Sequence, residues 1–219
     1  MEYLLDEVKN FFTEAEEILF IPYARPGGIS FDEYTEAPRK AFAKIGLSVK
    51  GIHEFENPAE AVANAKGIFT GGGNTFLLLK TLYENGLIEP LRQAVKNGTP
   101  YMGSSAGSNI TGLTIGTSND MPIVYPPSFD ALQLVPFNIN PHYLDPIPDT
   151  KHQGETRETR INEFHFQNEQ PVIGLREGSW LRLQNSKLEL KGELTAPLFE
   201  KGKDAREVEV GDVSFLLKQ

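Results

Sequence analysis

The chain contains no cysteine, which excludes disulfides, thiol catalysis and zinc sites built on cysteine. It also lacks any apolar run that approaches the roughly 20 residues needed to span a bilayer. Basic residues are in deficit, with a net charge of -9, and no basic stripe is present to bind nucleic-acid phosphates. The N-terminus lacks the basic region of a signal peptide. These absences predict a cytoplasmic enzyme or binding protein with neither a nucleic-acid partner nor a membrane partner.

The pattern of apolar residues predicts an α/β fold. The 219 residues, of which 39% are hydrophobic, are enough for one domain, 1–219, with a sizeable core. Strands that alternate with helices in the first half predict a mainly parallel sheet flanked by helices. Beyond residue 112 the pattern predicts added strands at 113–117, 122–125, 131–140, 171–176, 179–184, 186–191 and 206–217, with one helix at 154–167.

The motif that organises the chain is Tyr101-Met-Gly-Ser-Ser-Ala-Gly-Ser-Asn109, which contains the Gly-x-Ser-x-Gly pattern of a nucleophile elbow. A serine on a sharp strand-to-helix turn has an uncomfortable backbone conformation, and glycines two residues to either side remove the clashes there. Only Ser105 is flanked correctly, because Ser104 is offset by one residue. Ser105 is therefore the candidate nucleophile, with the amide N–H of Ala106 facing a developing oxyanion. The alternative is a turn of small residues.

A triple glycine, Gly71-Gly-Gly-Asn74, separates a predicted strand from a predicted helix. A phosphate-binding loop would continue with Gly-Lys-Ser/Thr, and a dinucleotide fingerprint would need an acid about 20 residues on; neither is present. Loops at the carboxyl ends of neighbouring parallel strands converge on one crevice. An N–H from Gly72 or Gly73 can therefore complete an oxyanion hole with that of Ala106. The alternative is a tight turn that permits close helix packing.

An activated serine also needs a base and an acid that orients the base. Of the histidines, His53, His152 and His165 are explained by exposed or packing roles, whereas His142 ends a strand behind the stiff Pro141. A rigid strand end is where a general base would be placed. The spacing does not single out the acid from its downstream candidates, which are Asp120, Asp130, Asp145, Asp149, Glu155 and Glu177.

Six motifs occur in an order that resembles one family, peptidase E, the α-aspartyl dipeptidases. The similarity runs from about residue 17 to about residue 184. The motifs are Gly71-Gly-Gly-Asn-Thr-Phe76, Gly103-Ser-Ser-Ala-Gly107, Thr117-Ser-Asn-Asp-Met-Pro-Ile-Val124, Phe129-Asp-Ala-Leu132, Ile139-Asn-Pro-His142 and Gly154-Glu-Thr-Arg-Glu158.

The resemblance implies a catalytic set and an activity. Ser105 would be the nucleophile, His142 the base and Asp120 the orienting acid, with oxyanion donors from the Gly72–Gly73 region and from Ala106. The implied sheet is like that of class I glutamine amidotransferases, a flavodoxin-like arrangement. The implied activity is hydrolysis of dipeptides that begin with aspartate, without metal or cofactor.

Substrate recognition is predicted to be local, because a protein of net charge -9 does not attract an anion from a distance. The resemblance places Arg157 near the pocket, and its guanidinium can bind the aspartyl carboxylate bidentately. We predict that Glu155 or Glu177 binds the substrate ammonium, and that Asn74 also contacts substrate. The alternative is an ordinary helix N-terminus, where Glu155 favours the dipole and Arg157 is solvated.

Two competing functions and two departures from the family pattern remain open. The competitors are a cyanophycinase-like hydrolase of aspartyl peptides and a catalytically disabled member that acts as an interaction protein; a small peptide partner and a monomer or homodimer are expected for the active enzyme. Ser104 is small where relatives often carry an aromatic residue. Family members also begin with a further apolar strand, and without it we expect an exposed sheet edge or an edge that pairs with another chain.

Overall fold

The structure is a computed structural model that describes residues 4–146 and 154–218. Its helices are α1 (Leu5–Phe11), α2 (Phe31–Ala43), α3 (Pro58–Asn64), α4 (Thr75–Glu84), α5 (Ile88–Lys96), α6 (Ala106–Asn109) and α7 (Arg157–Phe164). Its strands are β1 (Glu17–Ile21), β2 (Ser48–Gly51), β3 (Ile68–Thr70), β4 (Tyr101–Gly103), β5 (Asn138–Pro141), β6 (Val172–Leu175), β7 (Trp180–Gln184), β8 (Lys187–Lys191), β9 (Ala196–Phe199), β10 (Arg206–Val208) and β11 (Gly211–Asp212).

The first half of the chain builds a parallel sheet in the order β2-β1-β3-β4. The apolar run of β1 is buried from Ile18 to Ile21, as expected of a strand covered on both faces. Helix α2 begins with a capping box between Ser30 and Glu33. Because the strands are parallel, the loops that follow β3 and β4 leave the same edge of the sheet. These loops carry the triple glycine and the serine motif.

The second half adds two sheets, which confirms the predicted fold class. One has the order β10-β9-β6-β5, in which β5 and β6 are parallel and the other pairs are antiparallel. The other is the antiparallel sheet β11-β8-β7. Buried side chains of these strands, among them Ile139, Ile173 and Leu198, form a second apolar core beside that of the parallel sheet.

Two of the predicted strands are wrong, two form only in part, at Asn138–Pro141 within 131–140 and at β10 and β11 within 206–217, and strand β9 is not predicted. Segment 113–117 forms only an isolated bridge, at Thr114, whose N–H bonds the side chain of Asn138 instead of a ladder partner. Segment 122–125 is irregular, since the prolines that begin and follow it cannot donate to a ladder. Strand β9 escaped prediction because it contains Pro197, which lies where β9 pairs with β10 and not with β6.

Strands β4 and β5 each lie at the end of a sheet. Among the described residues, no strand pairs with the outer edge of β4. A cavity of about 670 Å³ is lined by residues of both strands and by the loops that follow them. Within 4–146 and 154–218, no helix is long and apolar enough to cross a membrane.

Candidate active site

Ser105 lies on the sharp turn between β4 and α6. Its φ of 54° and ψ of -112° put a non-glycine residue in a sparsely populated region, a form of strain that concentrates at functional sites. Packing explains both flanking glycines. A Cβ on Gly103 would lie 2.2 Å from the carbonyl oxygen of Gly107, and one on Gly107 would lie 2.3 Å from that of Thr70. The sequence thus forces a tight turn that presents Ser105.

The residues around Ser105 lock this turn. The N–H of Ser104 donates to the Thr70 carbonyl at 3.1 Å, so Ser104 still belongs to the sheet ladder. Behind it, the Ser108 hydroxyl donates to the Gly103 carbonyl at 2.8 Å. Ala106 is the first residue of α6, and its N–H therefore has no acceptor within the helix. That N–H is available to a ligand beside Ser105.

The glycine loop after β3 packs directly against Ser105. A Cβ on Gly72 would lie 2.9 Å from the Cβ of Ser105 and 3.5 Å from its Oγ, so only glycine fits. The Tyr34 hydroxyl donates to the Gly72 carbonyl at 2.8 Å. In a trans peptide the carbonyl and the next N–H point in opposite directions, so the Gly73 N–H faces away from Tyr34. Tyr34 thereby fixes the orientation of a predicted oxyanion donor, a role that the sequence did not suggest.

Tyr34 is itself held in place by neighbouring groups. The Arg25 guanidinium lies 4.6 Å from the centre of its ring, and the ring of Phe20 packs edge-on against it. Burial is the main cause of a raised pKa for the Tyr34 phenol, which keeps it protonated and able to donate.

His142 directly follows β5, has a left-handed φ of 55° and hydrogen-bonds through Nδ1 to Oε1 of Glu177. Glu177 lies two residues beyond β6, the parallel neighbour of β5. Since Nδ1 is taken by the carboxylate, Nε2 is the nitrogen left to accept a proton. Ser105, His142 and Glu177 all line the same cavity.

Asp120 lies elsewhere. Its Oδ2 accepts bonds from the N–H of Thr75 at 2.7 Å, from the Thr75 hydroxyl at 2.6 Å and from Ser118 Oγ at 3.3 Å. The carboxylate thus sits at the N-terminus of α4, where negative charge is favoured. In the part of the chain that the structure describes, no hydrogen bond or ion pair joins Asp120 to His142. The geometry favours Glu177 over Asp120 as the partner of the histidine.

Arg157, the first residue of α7, is only partly exposed and forms no ion pair within residues 4–146 and 154–218. Burial is the main cause of a lowered pKa for its guanidinium, with Arg160 adding to it and the Asp120 carboxylate opposing it. The group keeps its charge at neutral pH. Glu155 is exposed and lies 3.5 Å from Arg160. Among the described residues, no carboxylate is therefore paired with Arg157.

The remaining candidates have structural partners or lie outside the description. Asn74 caps α4 through Oδ1, which accepts from Leu77, and donates through Nδ2 to the carbonyl of Met121 at 2.8 Å. His53 bonds Asp32, His165 bonds the carbonyl of Gln170, Asp145 bonds Arg176 and Asp130 donates its N–H to Ser128. His152 and Asp149 lie outside the described residues. Among those described, no group of three or more His, Asp or Glu is placed to hold a metal ion.

Comparison with known proteins identifies the family. The model of peptidase family S51 matches residues 1–191. The chain belongs to peptidase family S51. It is 50% identical to peptidase E of Streptomyces coelicolor over 218 residues, which cover 99% of this chain and 88% of that one. It is 44% identical to the Drosophila melanogaster protein named "Probable alpha-aspartyl dipeptidase", covering 100% of this chain and 92% of that one.

A solved structure supports the fold of this S51 peptidase. The crystal structure of a peptidase from an acI-B1 Actinobacterium superposes with a TM-score of 0.71 at 17% identity. The match covers 94% of this chain and 88% of that chain. At that identity the likeness concerns the architecture of the chain and not its substrate.

Proposed function

We propose that this S51 peptidase is a serine dipeptidase that hydrolyses dipeptides with an N-terminal aspartate. The observation that carries the proposal is one cavity lined by Ser105, on a strained turn, and by His142, whose Nδ1 is held by Glu177. The names of the relatives that are 50% and 44% identical support the substrate class.

The proposed mechanism begins with attack of the Ser105 hydroxyl oxygen on the aspartyl carbonyl carbon. Nε2 of His142 accepts the hydroxyl proton, while Nδ1–H donates to Glu177, which remains ionised and fixes the tautomer. The peptide C–N bond then breaks, and His142 passes its proton to the leaving amine. The same histidine then takes a proton from water, whose oxygen attacks the acyl carbon. The ester bond to Ser105 breaks, His142 returns the proton to the Ser105 oxygen, and aspartate leaves.

The developing oxyanion is assigned to backbone N–H groups. Ala106 follows Ser105 at the start of α6, and Gly72 of the glycine loop packs against the side chain of Ser105. Removal of one such donor costs roughly 3–4 kcal/mol of transition-state stabilisation where it has been measured. Because these donors belong to the backbone, substitutions can test them only through the groups that position them, of which Tyr34 is the first.

Substrate specificity is assigned to Arg157. A partly buried guanidinium without an ion pair among the described residues can gain a bidentate partner when the aspartyl carboxylate enters. The substrate ammonium is assigned to Glu155, whose exposed pair with Arg160 at 3.5 Å is long and can rearrange. Glu177, already bonded to His142, is the weaker candidate for the ammonium.

A substrate panel tests this assignment. We expect the wild type to cleave Asp-X dipeptides far better than Glu-X, Asn-X or X-Asp dipeptides. Arg157→Met should reduce Asp-X cleavage much more than residual Asn-X cleavage, because a neutral amide does not need the cation, and Arg157→Lys should still impair Asp-X cleavage because it lacks the guanidinium fork. Equal losses on both substrates would assign Arg157 a structural role.

The same panel separates the competing functions. Activity on longer aspartyl peptides with little on Asp-X dipeptides would favour a cyanophycinase-like hydrolase. Failure of Ser105 to react with a fluorophosphonate probe would indicate a disabled member. A cytoplasmic location and a monomeric or homodimeric state stay predictions.

A further inference from the structure

Two short segments beside the candidate site are joined to each other by a backbone hydrogen bond, a ring contact and an ion pair. Strands β5 and β6 are parallel neighbours, with Pro141 opposite Leu175, so the segments that follow them leave the same edge of the sheet. We call residues 142–145 and 174–177 together the clasp. The first segment carries the candidate base, and the second carries the carboxylate that orients it.

Backbone and ring contacts make up the first half of the clasp. The N–H of Tyr143 donates to the carbonyl of Leu175 at 2.9 Å. The buried ring of Tyr143 packs against Gly174, where an added Cβ would come within 2.6 Å of it. Burial, aided by nearby carboxylates, raises the pKa of Tyr143 to about 12, so this ring stays neutral. The two segments are therefore in van der Waals contact.

Arg176 makes up the second half. Its Nε and Nη2 donate to the two oxygens of Asp145 at 2.8 and 2.6 Å, the bidentate geometry of a strong charge-assisted pair. The same guanidinium donates to Glu207 at 2.9 and 2.8 Å and to the carbonyl of Thr195 at 2.7 Å. Its side chain is only 15% exposed. Arg176 thus connects the segment after β5 to Thr195, just before β9, and to Glu207 in β10, which lie on the other side of β6 in the same sheet.

The hydrogen bond between His142 and Glu177 is not shielded from water as the Arg176 pair is. Their side chains are 53% and 75% exposed, and an exposed pair of this kind contributes little to holding its own geometry. His142 also has a left-handed backbone conformation that a non-glycine residue adopts only when its surroundings impose it. Something other than the catalytic pair must fix the two residues relative to each other.

We propose that Arg176 is a positioning residue, which holds His142 at Glu177 by binding Asp145. The inference rests on the proposed function, because it assigns catalytic meaning to the His142–Glu177 pair. Arg176 precedes Glu177 directly, and Asp145 lies three residues beyond His142. One guanidinium thereby sets the distance between the base and its carboxylate by binding Asp145, from a place in the wall of the same cavity.

The chain offers a matched control. Asp145→Asn and Glu207→Gln each remove one carboxylate from the same guanidinium, but only Asp145 belongs to the segment that carries His142. A purely structural role predicts similar effects of the two substitutions. Positioning predicts that Asp145→Asn alone slows the chemistry.

The measurement is the reaction of Ser105 with a fluorophosphonate probe, which requires no knowledge of the substrate. The final extent of labelling counts correctly folded sites, and the rate constant reports how well Ser105 is activated. We expect Asp145→Asn to lower the rate constant by about tenfold or more, since a small misplacement of a catalytic group can cost 10²-fold. The extent of labelling should stay near that of the wild type, and Glu207→Gln should keep the rate constant within about twofold.

Rescue variants keep the test decisive if Asp145→Asn folds poorly. Asp145→Glu retains the carboxylate and should recover most of the rate, whereas Arg176→Lys retains charge but loses the fork and should resemble Asp145→Asn. Equal losses of the rate constant for Asp145→Asn and Glu207→Gln would overturn the positioning role of Arg176 and leave the proposed function intact. The absence of any loss for Asp145→Asn and Arg176→Lys would do the same. A wild-type protein that is not labelled would overturn the proposed function, and the clasp's catalytic role with it.

Discussion

Replacing Glu177 by glutamine is the sharpest test of which acid orients the candidate base. The amide keeps the size of the side chain but removes the charge, and it can hydrogen-bond the wrong tautomer of His142. In a triad whose aspartate is buried, the equivalent change lowers kcat about 10⁴-fold. Here Glu177 is 75% exposed, so water can replace part of the lost interaction. We therefore expect a smaller loss in kcat, on the order of 10²–10³.

Asp120→Asn is the matched comparison. The asparagine oxygen can still accept a bond from Thr75, and the loss of charge at the N-terminus of α4 should cost no more than about 1 kcal/mol of stability. We expect kcat to fall less than about tenfold, because no described contact joins Asp120 to His142.

The assay is steady-state hydrolysis of an Asp-X dipeptide, with the thermal midpoint of each variant measured alongside to separate folding from chemistry. Similar KM values for wild type and Glu177→Gln would show that the carboxylate acts on His142 and not on the substrate ammonium. The reverse result, a loss near 10⁴ for Asp120→Asn with less than about tenfold for Glu177→Gln, would refute the assignment and restore Asp120 to the triad.

Three further outcomes follow from the geometry. Ser105→Ala should abolish turnover by several orders of magnitude while Ser104→Ala remains mild, and kinetics that show the opposite would shift the register of the elbow. Tyr34→Phe removes the donor that orients the Gly72 carbonyl, so kcat should fall up to about tenfold at unchanged KM; a changed KM with normal kcat would contradict the oxyanion assignment. Hydrogen bonds from Arg176 lower the pKa of Glu207 in the folded protein. The ionised Glu207 therefore stabilises the fold at pH values above its pKa in the unfolded chain, and this stabilisation is lost as the pH falls through its pKa in the folded protein. Accordingly, the difference in thermal midpoint between wild type and Glu207→Gln should shrink from pH 7 towards pH 3; a constant difference would contradict it.

The first half of the fold was predictable because its signals are local and agree with one another. The apolar run of β1, the glycine loop before α4 and the turn around Ser105 each lie at the predicted place. The second half was harder because irregular segments there contain the same residues as strands. Segment 113–117 is rich in β-formers, yet its backbone bonds a side chain, and β9 contains a proline that argues against a strand.

Side-chain contacts between residues that are far apart in the sequence could not be predicted from the sequence. Tyr34 precedes Gly72 by 38 residues, and nothing in the local pattern around Tyr34 predicts that its hydroxyl reaches the glycine loop. Its neighbours in sequence indicate only a helix. The same holds for Arg176 and Glu207, which are hydrogen-bonded to each other although 31 residues separate them in the sequence. Such contacts are set by strand pairing, which periodicity alone does not determine.

The sequence nevertheless contains a signal that distinguishes Asp120 from Glu177 as the partner of His142. His142 lies at the end of one predicted strand, and Glu177 directly follows the next predicted strand, 171–176. In a parallel pair, residues just beyond the carboxyl ends meet at the same edge of the sheet, whereas Asp120 sits in a turn that belongs to neither strand. The rule that locates Ser105 beside the glycine loop thus also places Glu177 beside His142. Applied to both halves of the chain, the rule favours Glu177, whose carboxylate hydrogen-bonds His142 in the structure. Asp120 instead accepts a hydrogen bond at the N-terminus of α4.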